Sequence, residues 1–393
     1  MKGKSRVLVV APQPFFSPRG TPFSVYYRTL VMAGKGLSID LLTYGQGEDV
    51  SIPGVRILRI PAFRFLGTVR IGPSPLKFFL DGVLFFRMIG ALLRRRYRFV
   101  HAHEEAVFLA LFLKPLFRYR LVYDMHSSLP QQMTNFRFTR SRFWIGLLER
   151  LERSALRRSD AVITICPELA EYALAVGVPA DRHFLIENSL FDPVKLARAE
   201  AEGGDEPPFP VAEDGPLVVY AGTFEAYQGI DLLLGAFARL GGRAPGARLL
   251  VVGGAPEQVE ETRRAAAALG LGERCAVHGR IPVAAARRLL DSADLVVSPR
   301  ISGTNTPLKL YELMARGVPL VATRIRSHTQ VLDDETAILV DPDPESMAAG
   351  IAAALDDGET RERIAAAARE RYREHYGREA YEGKIGALLG RVL

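Results

Sequence analysis

Short runs of apolar, often β-branched residues recur along the whole chain and alternate with longer segments of helical periodicity. Runs that are apolar at nearly every position are typical of strands in a parallel sheet whose two faces are covered by helices. The pattern therefore predicts an α/β protein. The first series of runs lies at residues 7–10, 39–42, 55–60, 100–102, 120–123 and 161–165. The second series lies at residues 217–220, 248–252, 275–278, 295–298, 320–322 and 338–340.

A polar stretch separates the two series. Residues 199–215 are dense in glycine, proline and acidic side chains, a composition typical of a linker or flexible loop. A chain of 393 residues with 48% hydrophobic residues is long enough for two ordinary α/β cores. We therefore predict two Rossmann-like domains with parallel sheets, at residues 1–195 and 196–375.

The two halves differ in charge. Residues 1–200 carry 29 lysines and arginines against 16 acids, whereas residues 201–393 carry 22 against 28. Residues 56–98 hold ten basic side chains, one acid and several interleaved phenylalanines, which suits a surface that meets anionic lipid. Residues 136–144 form a second such patch. A core helix with a solvated basic face is the alternative, and a nucleic-acid partner is not predicted because no recognition motif accompanies the charge.

No segment has the pattern of a membrane span or a secretion signal. Residues 76–93 are short and interrupted by charge, so they would lie in the membrane interface and not cross it. The first apolar run ends at residue 10, which is too short for a signal peptide. The only cysteines, Cys166 and Cys275, fall in different halves, which favours a reducing compartment. We expect a cytoplasmic protein, peripheral on the inner face of the cell membrane.

Two loops that follow strands carry the same helix-start signal. Thr21-Pro22, after Gly20, and Thr306-Pro307 each pair a favoured N-cap residue with a favoured first helical residue. Ligands of open parallel sheets bind beyond the carboxyl ends of the strands, and a helix N-terminus there favours an anion. The two loops together indicate a phosphate site.

Two charged residues follow Thr306. We expect the helix to run from Pro307 to a stop at Gly317. A cation at Lys309, in the first turn, opposes the helix dipole by roughly 0.3–1 kcal/mol unless an anion binds there. A diphosphate would resolve the conflict, and a solvated lysine is the alternative. The Glu312 carboxylate could accept both hydroxyls of a ribose, or it is a surface charge.

Residues 303–317, with residues 219–231 and 335–342, resemble glycosyltransferase family 4, a group of retaining sugar transferases of GT-B fold. The likeness extends into the N-terminal half at residues 124–130, 160–168 and 187–189. The Thr-Pro-Leu-Lys stretch at 306–309 looks like one branch of the family. The resemblance implies two facing domains with a cleft between them, the donor nucleotide in the C-terminal domain, the acceptor in the N-terminal domain, and a final helix at 376–393 that crosses back to the N-terminal domain.

The resemblance also implies roles for individual residues. Glu312 matches the second glutamate of the family's paired-glutamate motif and would hold the ribose. Gly20 matches a glycine whose loop approaches the diphosphate, and His126 matches a histidine that hydrogen-bonds the donor sugar near the reacting carbon. From the residue alone, His126 could equally be a structural loop histidine. The nucleobase would lie against residues 278–281.

Three positions depart from the family pattern. Thr304 stands at the first glutamate of the pair, and Thr223 and Gln228 stand at the arginine and lysine of the phosphate clamp. Another cation must compensate the lost hydration of the diphosphate, with Lys309 as the first candidate and Arg300 as the second. The candidate catalytic residues are thus His126, Glu312 and Lys309. The candidate nucleotide-sugar-binding residues are Gly20, Thr21, Thr223, Gln228, Arg280, Arg300, Thr304, Asn305, Thr306, Pro307, Leu308, Lys309 and Glu312.

The resemblance implies a glycosyltransferase that moves a hexose, with retention, from a nucleoside diphosphate sugar to a hydroxyl. We expect a lipid-linked or polysaccharide acceptor in cell-surface synthesis. Donors aimed at the leaving phosphate would be the main catalytic device, so no metal or cofactor is expected. We interpret Asp341-Pro342-Asp343 as a turn and not as a metal site. The alternatives are a sugar-nucleotide epimerase of the same fold and a non-catalytic nucleotide-sugar-binding partner of another transferase.

Overall fold

The computed structural model describes residues 5–17, 20–63, 67, 74–130, 142–188, 191, 215–244 and 246–393, with the backbone alone at 142–144. The chain divides into two compact units, which we call the N-terminal unit (Met1–Glu200 with Arg378–Leu393) and the C-terminal unit (Ala201–Gly377). The predicted domain boundary at residues 195 and 196 lies outside the described residues, as does most of the second predicted lipid patch.

Each apolar run singled out in the sequence forms a strand. The strands are β1 (Arg6–Ala11), β2 (Ser38–Thr43), β3 (Val55–Arg59), β4 (Phe99–His103), β5 (Arg120–Met125), β6 (Ala161–Thr164), β7 (His183–Leu185), β8 (Leu217–Ala221), β9 (Arg248–Gly254), β10 (Cys275–Gly279), β11 (Leu295–Ser298), β12 (Leu320–Thr323) and β13 (Ile338–Val340). Of these, β7 was not predicted, because it begins with the polar His183 and holds only two apolar residues, Phe184 and Leu185.

Among the described residues the strands form two parallel sheets, which confirms the α/β prediction of two Rossmann-like domains. The N-terminal sheet has the order β3-β2-β1-β4-β5-β6-β7 and the C-terminal sheet the order β10-β9-β8-β11-β12-β13. The strand order reverses between β1 and β4 in the first sheet and between β8 and β11 in the second. Such reversal points are where open parallel sheets bind ligands.

Helices connect the strands and cover both faces of each sheet. They are α1 (Gly20–Gly34), α2 (Pro75–Arg94), α3 (Ala106–Phe117), α4 (Arg142–Arg158), α5 (Pro167–Ala175), α6 (Ile230–Leu240), α7 (Pro256–Ala268), α8 (Val283–Asp291), α9 (Leu308–Arg316), α10 (Arg326–Thr329), α11 (Pro344–Asp356), α12 (Gly358–His375) and α13 (Arg378–Val392). Within the described ranges, no helix combines the length and apolar character needed to cross a bilayer.

The N-terminal sheet has a different set of helices on each face. On one face, α2, α3, α4 and α5 pack their buried side chains into a single core that includes Leu84, Ala110 and Leu169. On the other face, α1 and α13 pack around Val25 and Ile385. The final helix therefore belongs to the core of the N-terminal unit.

The helix starts differ from the prediction by one or two residues. Helix α1 begins at Gly20, so Thr21 and Pro22 lie inside its first turn and Thr21 is not the N-cap. Helix α9 begins at Leu308, because Pro307 has an extended ψ of 130° and itself takes the N-cap position. The predicted stop is confirmed, since Gly317 ends α9 in the left-handed conformation at a φ of 61°.

Asp343, the second aspartate of the Asp-x-Asp stretch, has a structural role. Oδ1 of Asp343 accepts hydrogen bonds from the backbone amides of Glu345 and Ser346 at 3.0 and 2.9 Å. Asp343 is thus the N-cap of α11, a common position for aspartate.

Candidate functional site

The carboxyl edge of the C-terminal sheet brings several predicted residues together. Tyr220 lies one residue before the end of β8, and the loop after β11 leads through Arg300 and Thr306 into α9, whose second residue is Lys309. Tyr227 follows in the loop after β8. We call these five residues the cationic cluster. It lies where β8 and β11 adjoin, at the reversal point of the sheet.

Lys309 is the centre of the cationic cluster. Its ammonium group is buried and has no hydrogen-bond partner among the described residues. Nζ lies 4.3 Å from the centre of the Tyr220 ring, at a cation–π distance. Burial, together with the nearby charge of Arg300, lowers the pKa of Lys309 to about 7. A Cβ at Gly222 would come within 2.8 Å of Tyr220 Oη, so a larger residue there would crowd this contact.

Arg300 supplies the second cation. Its guanidinium carbon lies 5.1 Å from the centre of the Tyr227 ring. Nε and Nη1 donate to the carbonyl oxygens of Ser302 and Asn305 at 2.7 and 3.1 Å, which shapes the loop that enters α9. In the described part of the C-terminal unit, the ion-paired carboxylates bind other arginines or, in the case of Glu374, His375, and none of them pairs with Arg300 or Lys309.

The start of α9 has polar groups that the described residues leave unsatisfied. The Thr306 hydroxyl is buried without a hydrogen-bond partner among them. Pro307, as the N-cap, supplies no capping side chain. A helix start without a side-chain cap favours an anion, because its first amides point out of the helix. With Lys309 and Arg300 beside it, this place is suited to a phosphate group.

His328 was not selected from the sequence, yet it borders the cationic cluster. Its Nδ1 lies 2.8 Å from the Thr323 carbonyl oxygen, so Nδ1 carries the proton, and Nε2 lies 3.0 Å from Ser298 Oγ. Burial is the main cause that lowers the pKa of His328 to about 4, and the charges of Lys309 and Arg300 act in the same direction. The neutral ring therefore ties the ends of β11 and β12 together without adding charge.

The two neutral positions of the expected clamp also meet here. Gln228 Nε2 donates to Thr223 Oγ1 at 3.4 Å, and Tyr220 Oη donates to the Thr223 carbonyl oxygen at 2.7 Å. Thr223 and Gln228 are thus held beside the ring on which Lys309 lies. The two neutral clamp positions and Lys309, the first candidate to replace the clamp, therefore all lie around Tyr220.

Glu312 is already engaged within its own unit. Oε1 accepts a hydrogen bond from Arg287 Nε at 2.9 Å and lies 3.6 Å from Arg316 Nε. Its side chain is 23% exposed, so a ligand could still reach the carboxylate. Arg287, on α8, was not selected from the sequence, because nothing in the pattern relates it to α9.

The remaining predicted residues lie around this edge. Gln330 Nε2 donates to the Thr304 carbonyl oxygen at 2.7 Å, which fixes the loop before α9. Arg280 is exposed on the loop after β10, two strands from β8. Two inter-strand spacings amount to about 10 Å, and no described contact links Arg280 to the cationic cluster.

In the N-terminal unit, His126 belongs to a buried group around Asp124, which we call the aspartate hub. Arg28 Nε and His101 Nε2 lie 2.8 and 2.9 Å from Asp124 Oδ2. His126 Nε2 lies 3.2 Å from Oδ1 and 3.1 Å from His103 Nδ1. Of these residues only His126 was predicted, because the others come from α1, β4 and β5 and meet only in the folded sheet.

The charges of the aspartate hub are balanced internally. Burial opposes a charge on Asp124, but Arg28 and the imidazoles outweigh it and hold the pKa of Asp124 well below its usual range. Burial lowers the pKa of His101 and of His103, so both rings are neutral. The ligand atoms of His101, His103 and Asp124 are close enough together for a metal ion. However, Arg28 already supplies the positive charge that the carboxylate requires.

Gly20 and Thr21 are the first residues of α1, in the N-terminal unit. Gly20 is exposed, and a Cβ there would meet nothing within 4 Å, so the described surroundings do not themselves require glycine. His126 follows β5 directly. The predicted N-terminal residues thus occupy the carboxyl side of their sheet, the side on which such sheets bind ligands.

Two family models match this chain. The model of the glycosyl transferases group 1 matches residues 205–371, and that of the glycosyl transferase 4-like domain matches residues 29–189. Together they match most of both units. The chain belongs to the GT-B glycosyltransferases.

Several relatives of this glycosyltransferase match over most of its length. It is 29% identical to a D-inositol 3-phosphate glycosyltransferase of Xylanimonas cellulosilytica, over 86% of this chain and 84% of that protein. It is 27% identical to the alpha-D-kanosaminyltransferase of Streptomyces kanamyceticus, over 85% of this chain and 90% of that protein. It is 25% identical to a phosphatidyl-myo-inositol mannosyltransferase of Mycobacterium tuberculosis, over 92% of this chain and 90% of that protein.

Solved structures share the fold of this glycosyltransferase. Sucrose-phosphate synthase from Thermosynechococcus elongatus matches with a TM-score of 0.75 at 22% identity, over 99% of both chains. HepE from Anabaena, in complex with UDP, matches with a TM-score of 0.70 at 15% identity, over 98% of this chain and 99% of that one. These likenesses establish the two-domain fold.

Proposed function

We propose that this glycosyltransferase moves a hexose from a nucleoside diphosphate sugar to a hydroxyl acceptor, with retention at the reacting carbon. The observation that carries the proposal is the buried, unpartnered ammonium group of Lys309 at the start of α9. A buried amine without an anionic partner is unfavourable in the free protein. A diphosphate would provide that partner.

In this proposal the cationic cluster replaces the clamp that Thr223 and Gln228 lack. Lys309 and Arg300 would neutralise the diphosphate, and the Thr306 hydroxyl with the first amides of α9 would donate hydrogen bonds to its oxygens. Both cations lie against tyrosine rings, which favours a fixed position over free solvation. The variant Thr-Pro-Leu-Lys stretch is then a working clamp.

The reaction breaks the bond between the sugar carbon and the β-phosphate oxygen and forms a bond from that carbon to the acceptor oxygen, while the proton of the acceptor hydroxyl passes to the released diphosphate. Negative charge grows on the leaving diphosphate while positive charge grows on the sugar ring. Cations and amides fixed around the diphosphate stabilise this transition state more than the ground state. We propose that the reaction needs no metal and no other cofactor, because the cluster itself supplies the positive charge.

We propose roles for two further residues. Glu312 accepts the ribose hydroxyls, and its pairing with Arg287 and Arg316 keeps the carboxylate oriented. His126 hydrogen-bonds the donor sugar, and its ring is held by Asp124 and His103. Burial of Asp124 in the aspartate hub fixes that orientation without solvent competition.

For the acceptor we propose a lipid-linked or polysaccharide hydroxyl, used in cell-surface synthesis at the cytoplasmic face of the membrane. Some relatives are named for phosphatidyl-myo-inositol, a membrane lipid, as their acceptor. The basic, phenylalanine-rich segment 56–98 is compatible with a peripheral position on anionic lipid.

Thermal unfolding with UDP, GDP, ADP and dTDP tests the proposal. A ligand that binds the folded state alone stabilises it by about 2.7 kcal/mol at 100 times its Kd. We expect one nucleotide to raise the unfolding midpoint, and Lys309→Ala to reduce the shift strongly, because a roughly 10- to 100-fold lower affinity leaves only about 0.4–1.4 kcal/mol of stabilisation at the same concentration. Incubation with the matching nucleotide sugar, with and without a hydroxyl acceptor, separates the alternatives. An epimerised sugar nucleotide would indicate an epimerase, and binding without turnover in the presence of acceptors would indicate a non-catalytic partner. No shift with any nucleotide would contradict the proposal.

A further inference from the structure

One face of the N-terminal unit concentrates its exposed apolar side chains. Helices α2 to α5 cover this face of the sheet, while α1 and α13 cover the other. Among the described residues, α1 and α13 carry no exposed large apolar side chain, and α4 and α5 carry three leucines. The largest group lies on α2 and α3, and consists of Phe78, Phe79, Phe86, Leu93, Phe112 and Leu116. We call these six residues the apolar face.

Two exposed phenylalanines of the apolar face, on different helices, adjoin the same ring. Phe86 and Leu93 are each 73% exposed, and Phe112 is 75% exposed. Phe85, half-buried between the helices, has its ring centre 5.7 Å from that of Phe86 and 6.0 Å from that of Phe112. Adjacent helices that expose aromatic rings together are uncommon on a monomer and indicate an interaction surface.

The charges beside the apolar face are positive. Arg87 and Arg94 are exposed on α2, Arg118 is exposed at the end of α3, and none of the three forms an ion pair with a described residue. The acid of α2, Asp81, is turned inward, where it accepts a hydrogen bond from Tyr44 Oη at 2.5 Å. Lys77, part of the predicted basic segment, is paired with Glu105 and mostly covered, so it is not among the outward cations.

We propose that the apolar face docks this protein onto the surface of a bilayer that contains anionic lipid. Phenylalanine and leucine side chains insert at the boundary of head groups and acyl chains, and flanking arginines pair with the lipid phosphates. This charge complementarity favours lipid over a second copy of the chain, whose apolar face carries the same positive charge. The proposal rests on the proposed function in one respect, since a lipid-linked acceptor would be met at this surface.

Sedimentation of the full chain with vesicles tests the docking. Vesicles of phosphatidylcholine, with and without phosphatidylglycerol, are compared at low salt. We expect binding to the anionic vesicles, a loss of about tenfold for each of Phe86→Ser and Phe112→Ser, and a loss of roughly fivefold for each of Arg87→Gln and Arg94→Gln. Phe112→Ser is the more decisive of the two phenylalanine variants, because α3 lies outside the basic segment 56–98. Val283→Ser, an exposed apolar residue of α8, is the control and should leave binding unchanged.

Two outcomes would overturn the docking proposal. One is wild-type protein that does not sediment with phosphatidylglycerol vesicles, or phenylalanine variants that bind as tightly as Val283→Ser. The other is a change from dimer to monomer in the phenylalanine variants, measured by analytical ultracentrifugation, with vesicle binding unaffected. The nucleotide-induced thermal shift, measured on the same samples, keeps the two proposals apart. If the shift is present and vesicle binding absent, the docking proposal alone fails, and in the reverse case the proposed function alone fails.

Discussion

The ammonium group of Lys309 lies 4.3 Å from the ring centre of Tyr220, and the described residues offer it no hydrogen bond. The ring face compensates part of the lost hydration, but burial still lowers the pKa of Lys309 to about 7. The free protein thus holds a cation in an unfavourable place, at a helix start that favours anions. A bound diphosphate would relieve both conflicts, and the behaviour of this one residue therefore separates a binding role from a structural one.

Replacing Lys309 by methionine should weaken nucleotide binding without weakening the fold. Methionine keeps the buried stem and removes the amine, so the thermal midpoint of the free protein should stay equal or rise. Loss of a charge-assisted contact of about 1.5–3 kcal/mol should lower nucleotide affinity by roughly 10- to 100-fold. Calorimetric titration measures the affinity, and Lys35→Met, at an exposed lysine, serves as the control. A midpoint lowered by several degrees with unchanged affinity would indicate a structural lysine instead.

Replacing Glu312 by glutamine tests the contact to the ribose. The ion pairs of Glu312 are partly exposed, so their loss should cost no more than about 1 kcal/mol of stability. Affinity for a ribonucleotide should fall roughly tenfold, because a hydrogen bond to a charged acceptor is weakened. Affinity for the 2′-deoxy analogue should fall less, and the comparison of the two ligands measures the contact. Equal losses for both would show that Glu312 acts only through Arg287 and Arg316.

The sequence predicted those parts of the molecule that depend on local pattern. Apolar runs identified every strand except the three-residue β7, and Gly317 was identified as the end of α9. The start of α9 was misplaced by one residue, because the extended ψ of Pro307 cannot be known from Thr-Pro alone. Lys309 was selected because a cation in the first turn of a helix conflicts with the helix dipole, and this conflict can be recognised from the sequence alone.

Parts that depend on contacts between distant segments could not be predicted. The aspartate hub joins Arg28 of α1 to Asp124 of β5, and no local rule relates these positions. The apolar face likewise joins Phe86 of α2 to Phe112 of α3 through Phe85, whereas the sequence indicated residues 56–98 and 136–144 and not α3. Helical periodicity shows that a face is apolar, but only the packed sheet shows which helices share it.

Breaking the Arg28–Asp124 pair should destabilise the protein strongly. Both side chains are fully buried, so Arg28→Met leaves an uncompensated carboxylate, at a cost of about 3–5 kcal/mol. Urea unfolding of the full chain measures this loss. The double variant Arg28→Met with Asp124→Leu should lose less than the two single variants added together. Arg153→Met, which breaks an exposed pair with Glu149, is the control and should cost about 0.3–0.5 kcal/mol. A cost below 1 kcal/mol for Arg28→Met would contradict the internal balance of charge in the hub.

The stability of the free protein should respond to the titration of Lys309. Its folded-state pKa is about 7, whereas a lysine in an unfolded chain has a pKa near 10.4. Between these two values the unfolded state binds more protons, so the free energy of unfolding rises with pH by up to about 1.4 kcal/mol per unit. Subtracting the urea unfolding profile of Lys309→Met from that of the wild type isolates this contribution. If the difference in unfolding free energy between wild type and Lys309→Met stays constant from pH 7 to pH 9, the amine of Lys309 is solvated.

Nucleotide-sugar affinity should change with pH in the opposite direction. The diphosphate binds the protonated form of Lys309, and binding raises the pKa of this residue, so complex formation takes up a proton above pH 7. Affinity should therefore fall by about tenfold per pH unit above 7, until the pKa of the complex is reached. A nucleoside diphosphate sugar is the suitable probe, because its diphosphate is esterified at both ends. Calorimetry in buffers of different ionisation enthalpy counts the proton directly. The Lys309→Met variant should bind weakly with a flat profile, and the same slope in wild type and variant would assign the proton to another group.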